Sequence, residues 1–123
     1  MKLSEAIRMN GMMKPQGFGA DSLYSFDAPC ALGGALQSIG TPAKNQTDYS
    51  PVKVAWPWVK EPEFSCPIAK GCSPRTPLQM IWHLNDTHRW TRQQIADWVE
   101  TVEPAEPADD LRIVCGVESS PKP

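Results

Sequence analysis

The residues of this chain best suited to coordination or nucleophilic chemistry are four cysteines and two histidines. Cys66 and Cys72 stand with five residues between them, and His83 follows eleven residues after Cys72. Two thiolates and an imidazole are three ligands of a structural zinc site, and Cys30, His88 or Cys115 can supply the fourth. The Cys66–Cys72 spacing is wider than the usual zinc knuckle. The surrounding stretch is broken repeatedly by proline, and a metal is one of the few devices that can pin such a loop.

The same residues admit a second chemistry. The spacing predicts that Cys30 falls in the first turn of a helix, where the helix dipole favours a thiolate. His83 or His88 as base, oriented by Asn85 or Asp86, would complete a Cys–His–Asn thiol hydrolase. Each of these groups also has an ordinary role. A free cysteine is commonly buried as a small apolar residue, and Asn85-Asp86 can close a turn on its own backbone. No GxSxG, HExxH or phosphate-cradling glycine loop occurs.

The elements that must position these groups follow from periodicity and caps. Ser4 as N-cap opens a helix to Met13, and Lys14-Pro15 ends it. A second helix runs from Pro29 to Ile39 on the stripe Ala31, Leu32, Ala35, Leu36 and Ile39, with Gly40 closing it. Gly33-Gly34 inside it implies that another backbone passes close by. Six prolines interrupt residues 41–75, where only Val52-Lys-Val-Ala-Trp56 alternates as a strand would. Trp56-Pro57-Trp58 reads as a core anchor. Thr76-Pro77 begins a third helix reaching Asn85-Asp86. Thr91 and Gln94 form a capping box for a fourth, which Pro104 stops, with Trp90 and Ile95 as its hydrophobic staple. Two adjacent helices raise the question of a DNA-binding helix-turn-helix, but the connection is too long and Asp97 and Glu100 face outward.

The expected fold is a mainly α, small single domain of about four short helices over residues 1–102. A long proline-rich loop at 41–75 wraps it, and residues 52–56 and 111–115 form a minor two-stranded ribbon. Leu32, Leu36, Ile81, Trp82, Ile95, Trp98 and Val99 are its expected core. Residues 103–110 read as an acidic, proline-rich linker and 111–123 as a tail.

Composition narrows the function. The chain has 123 residues, 13 of them proline, and a net charge of −2. That is too short for two ordinary domains and too proline-rich for a coiled coil. Residues 1–92 carry ten basic and seven acidic groups, a net +3, whereas 93–123 carry two and seven, a net −5. A basic face for nucleic acid is not evident. The acidic run from Asp97 to Asp110 reads as a solvated helix face entering a linker. No apolar run is long enough to span a membrane, and the first residues lack the apolar core of a signal peptide, so a cytoplasmic protein with reduced thiols is expected.

Two stretches, Cys30-Ala-Leu-Gly-Gly-Ala-Leu36 and His83-Leu-Asn-Asp-Thr-His-Arg-Trp-Thr-Arg-Gln-Gln-Ile-Ala-Asp-Trp-Val-Glu100, resemble a loose group of small bacterial and bacteriophage proteins. In that group a CALGAL-like helix precedes an LND…W helix pair. Lys2–Arg8 and Lys14–Phe18 also fit the group, while Gly34 and Gln94 depart from it. The resemblance transfers no activity; it implies an accessory gene of a bacterial phage or mobile element. Because no catalytic motif stands out, the expected function is that of a non-enzymatic protein of the bacterial cytoplasm that binds another macromolecule, a protein partner, with no cofactor; structural zinc on Cys66, Cys72 and His83, and the thiol hydrolase of Cys30, His83 and Asn85, stand as alternatives from the residues themselves.

Overall fold

A computed structural model describes residues 1–104. Among them five α-helices form: α1 (Leu3–Gly11), α2 (Ala31–Ser38), α3 (Ser50–Ala55), α4 (Pro77–Asp86) and α5 (Arg92–Val102). Short 3-10 turns lie at Ala20–Leu23 and Pro57–Lys60. The mainly α architecture is therefore the one expected, with one helix more. The expected linker beyond Pro104, the ribbon strand at 111–115, Cys115 and the tail lie outside the described residues.

Helix α1 packs along both α2 and α5, and α4 braces α2 and α5 from the side. The stripes that meet are Leu3, Ala6 and Ile7 of α1, Leu32, Ala35 and Leu36 of α2, Met80, Ile81 and Leu84 of α4, and Ile95, Ala96 and Val99 of α5, all buried. Burying one large aliphatic side chain stabilises by roughly 1.5–3 kcal/mol. Trp98 packs against this core partly buried, edge-on to Phe64 at 6.0 Å between ring centroids. Trp82 departs from expectation at 50 % exposure. Met80, Ile81 and Leu84 already form the inward stripe, and at 100° per residue position 82 falls on the opposite side of α4.

The start of α1 is capped from across the fold. Ser4 was the expected N-cap, but the N-cap is Lys2, two residues earlier, and Ser4 is buried inside the helix. Its N–H and hydroxyl both donate to the Glu103 carboxylate, at 3.1 and 2.5 Å. Arg8 pairs with Asp97 and Glu100 at 2.8 and 2.6 Å. The first half of the acidic run is thus bound to α1 and is not merely a solvated face.

Helix α2 starts two residues later than its pattern predicts, which makes Cys30 the N-cap and not a first-turn residue: its sulfur accepts from the Gly33 N–H at 3.4 Å. At the other end Gly40, at φ +77°, lets the N–H groups of Gly40 and Thr41 bond Gln37 and Leu36 in the Schellman closure. The close approach expected at the glycine pair is present. A Cβ on Gly33 would collide with the Leu23 carbonyl, and one on Gly34 would sit 2.6 Å from Asn10 Oδ1.

The stretch 52–56 is not a strand. Pro51 occupies the first turn of α3, where its missing N–H costs nothing, and Val52 and Trp56 are buried while Val54 is 79 % exposed. Burial at i and i+4, not i and i+2, is the helical register. Trp56 anchors as expected, its indole N–H donating to the Met1 carbonyl at 3.0 Å.

Candidate metal centre

Residues 64–75 form a loop whose base is pinched by a single antiparallel bridge. Phe64 and Arg75 exchange both backbone hydrogen bonds, at 2.8 and 3.0 Å. The bridge holds Cys66 and Cys72 in one small loop, and Arg75 leads directly into the Thr76 cap of α4. There the Thr76 hydroxyl accepts from Gln79 N–H at 3.4 Å and the Gln79 side chain answers at 3.2 Å, fixing the helix that carries His83.

At the far end of α4 the chain must turn back for His88 to reach the same point. Thr87 and His88 N–H groups bond the His83 carbonyl, and Trp90 N–H bonds Leu84 six residues earlier. Arg89, at φ 55°, makes the left-handed step that a glycine usually makes in such a closure. Thr91 then caps α5 with Gln94, as expected.

These two connections bring four ligand atoms together. The Sγ of Cys66 lies 3.7 Å from His83 Nε2 and 3.5 Å from His88 Nε2, and Cys72 Sγ lies 3.8 Å from His88 Nε2. The two Nε2 atoms are 3.0 Å apart with their rings at 89°. All four atoms fall within 4.8 Å of one another, and the group could hold a metal ion. Ligands at about 2.0–2.3 Å from a tetrahedral ion lie roughly 3.3–3.8 Å from each other, so the sulfur–nitrogen separations fit and the nitrogen pair needs only a few tenths of an ångström. Two thiolates and two neutral imidazoles would also neutralise a divalent charge.

The surroundings act differently on the members of this set, favouring the ligating form of Cys66 and His83 and opposing that of Cys72. Burial raises the Cys66 thiol, but hydrogen bonds from backbone N–H groups of Ala69 and Ile68 and from Cys72, with the charge of Arg75, bring it below the ordinary cysteine value. Burial and the neighbouring Cys66 keep Cys72 above that value. Burial, then Arg75 and His88, push His83 down toward its neutral, ligating form.

No family model, curated protein or solved structure matches this chain, so the site is read from its own atoms.

Of the residues singled out in the sequence, Cys66, Cys72 and His83 converge, and His88 is the fourth member. Its signal was the four-residue gap between His83 and His88, which lies within the usual spacing of zinc-binding histidine pairs. Cys30 has another post, capping α2 with its thiol raised by burial. Asn85 closes no turn, since α4 continues through Asp86. Its side chain is buried and fully used: Oδ1 accepts from Gln16 Nε2 at 2.7 Å and Ala31 N–H at 3.1 Å, while Nδ2 donates to Gly17 O at 3.0 Å and Asp86 Oδ1 at 2.8 Å. Asp86 Oδ1 also accepts from Gly19 N–H at 2.9 Å. These bonds tie α4 to the start of α2 and to the 16–19 connection, which holds the helix that carries His83 in place.

Proposed function

We propose that this chain is a zinc-stabilised accessory module in which Cys66, Cys72, His83 and His88 hold one structural zinc ion. The observation that carries the reading is the convergence of two thiols and two imidazole nitrogens from a pinched loop and both sides of a helix end. Four protein ligands leave no position for a substrate or water, which favours a structural over a catalytic role. Thiolate ligands require a reducing compartment, in keeping with a cytoplasmic location. No helix among the described residues is long and apolar enough to cross a membrane. The zinc-pinned loop would serve a non-enzymatic protein that binds a protein partner, encoded by a phage or mobile element as the resemblance implies.

The test is metal analysis of protein purified without a histidine tag. One zinc per chain is expected, and a strong chelator should lower the melting temperature while making two thiols reactive together. Protein that holds no stoichiometric metal, and whose melting and thiol reactivity ignore both chelator and added zinc, would overturn the reading.

A further inference from the structure

The two sulfurs of the cysteine–histidine cluster sit on one short loop, while both nitrogens come from outside it. Cys66 and Cys72 have five residues between them, and the Phe64–Arg75 bridge closes the loop at its base. Inside the loop the Cys72 N–H donates to the Ala69 carbonyl at 3.3 Å, which folds the chain back toward Cys66. The two Sγ atoms lie within 4.8 Å of each other. A disulfide needs about 2.05 Å between them. Both cysteines belong to the loop, so closing that gap asks nothing of α4.

Access is uneven among the thiols. Cys72 is partly exposed and is the sulfur that a small oxidant in solvent meets first, whereas Cys66 lies deeper beside it. The remaining thiol among the described residues, Cys30, is buried and engaged with the Gly33 N–H. Joining Cys66 to Cys72 would consume both thiolates in one product. Only His83 and His88 would then be left, too few ligands for a structural tetrahedral site.

We propose that the Cys66–Cys72 pair is a peroxide-sensitive switch that opens the zinc site by forming a disulfide. The proposal rests on the zinc reading and gives that site its regulation. The Cys72 thiolate attacks one oxygen of hydrogen peroxide; the O–O bond breaks, leaving a sulfenic acid on Cys72 and releasing hydroxide. The Cys66 thiolate then attacks the Cys72 sulfur. The S–S bond forms as the S–O bond breaks, and a second hydroxide leaves. Two thiolates have given two electrons to one peroxide, and the metal ion keeps its charge. The loop stays closed at its bridge but loses its tie to His83 and His88, so residues 64–75 loosen while the packed helices persist.

The experiment measures the zinc content of the zinc-supplemented full chain, then adds hydrogen peroxide at one equivalent per chain. A colorimetric chelator follows released zinc, and peptide mapping without reduction identifies the sulfur products. Trypsin cutting after Lys70 separates the two cysteines, so their disulfide shows as two peptides held together. Exposed Met12 and Met13 gain oxygen under the same treatment, so this linked pair, not the total mass, is the readout. Zinc release in step with the linked pair is expected, with Cys30 still reduced and helix content by circular dichroism unchanged. Dithiothreitol with added zinc should restore the starting form, and a Cys115→Ser variant should respond as the parent does. Zinc that stays bound, zinc that leaves without the Cys66–Cys72 link, or a link to Cys115 in its place overturns the switch and leaves the zinc reading standing. A chain that takes up no zinc at the first step fails that reading, and the switch with it.

Discussion

In α1, α2 and α5, side chains at helical spacing meet other side chains at helical spacing, and nine of them lose contact with water entirely. From Pro57 to Arg75 only Val59 and Cys66 are buried, and the backbone closes on itself through one isolated bridge. The first region is held by area removed from water, spread over many atoms. The second is held at a few points: the bridge, the Trp98–Phe64 contact and, on the proposed reading, an ion between the four clustered side chains. Spread stabilisation erodes gradually under mutation, whereas point stabilisation is present or lost. The dependence is also one-sided. On the zinc reading the loop needs α4 for His83 and the turn after it for His88, while the meeting faces of α1, α2 and α5 need nothing from the loop.

The largest effect should come from the body. Leu36→Ala removes a side chain with no exposure at the α1–α2 contact and is expected to cost about 2–5 kcal/mol in a denaturant melt. Because the loop depends on α4, thiol exposure should then track global unfolding. A melt within 1 kcal/mol of wild type, on the order of experimental spread, would mean that α1 and α2 do not pack through this face. A smaller, local effect should follow Cys72→Ser. Helix content by circular dichroism should stay near wild type, while limited proteolysis should gain cuts around Lys60 and Lys70. Loss of helicity throughout would erase the distinction between the regions. The smallest effect is Thr91→Ala, expected to cost about 1 kcal/mol through the lost acceptor for Gln94 N–H, with zinc content unchanged.

How much of this was legible in the sequence depends on the range of the interactions. The boundaries of α4 and α5 are local matters, announced by Thr76-Pro77 and by Thr91 with Gln94, and they stand where expected. Val52–Trp56 was ambiguous because five residues satisfy a strand or a helix equally, and the deciding signal was Pro51 just before them. Glu5 accepts from the Lys2 N–H locally at 3.0 Å, but the acceptor for the Ser4 groups could not be found locally, since Glu103 lies 99 residues from Ser4. Asn85 looked like turn chemistry because its true partners, Gln16, Gly17 and Ala31, are distant in sequence and two of the contacts use backbone atoms. At the candidate metal centre three ligands could be named from residue type. The fourth was one of three candidates, Cys30, His88 or Cys115, and the choice of His88 depended on Arg89 turning the chain back after α4, which no residue type there advertises.

The filled amide of Asn85 has a consequence for how this sequence can change over time. Aspartate has the same outline but no hydrogens to offer Gly17 O and Asp86, and leucine would orphan all four partners at once. Glutamine carries the right groups one methylene too far into a site with 1 % exposure. Every single step away from asparagine therefore passes through a poorly folded intermediate. Two of its partners are backbone atoms and cannot be substituted to compensate. The position is confined to one amino acid by geometry alone, whatever the molecule binds, and a deep mutational scan should find it emptier of tolerated variants than the ligand cysteines' exposed neighbours.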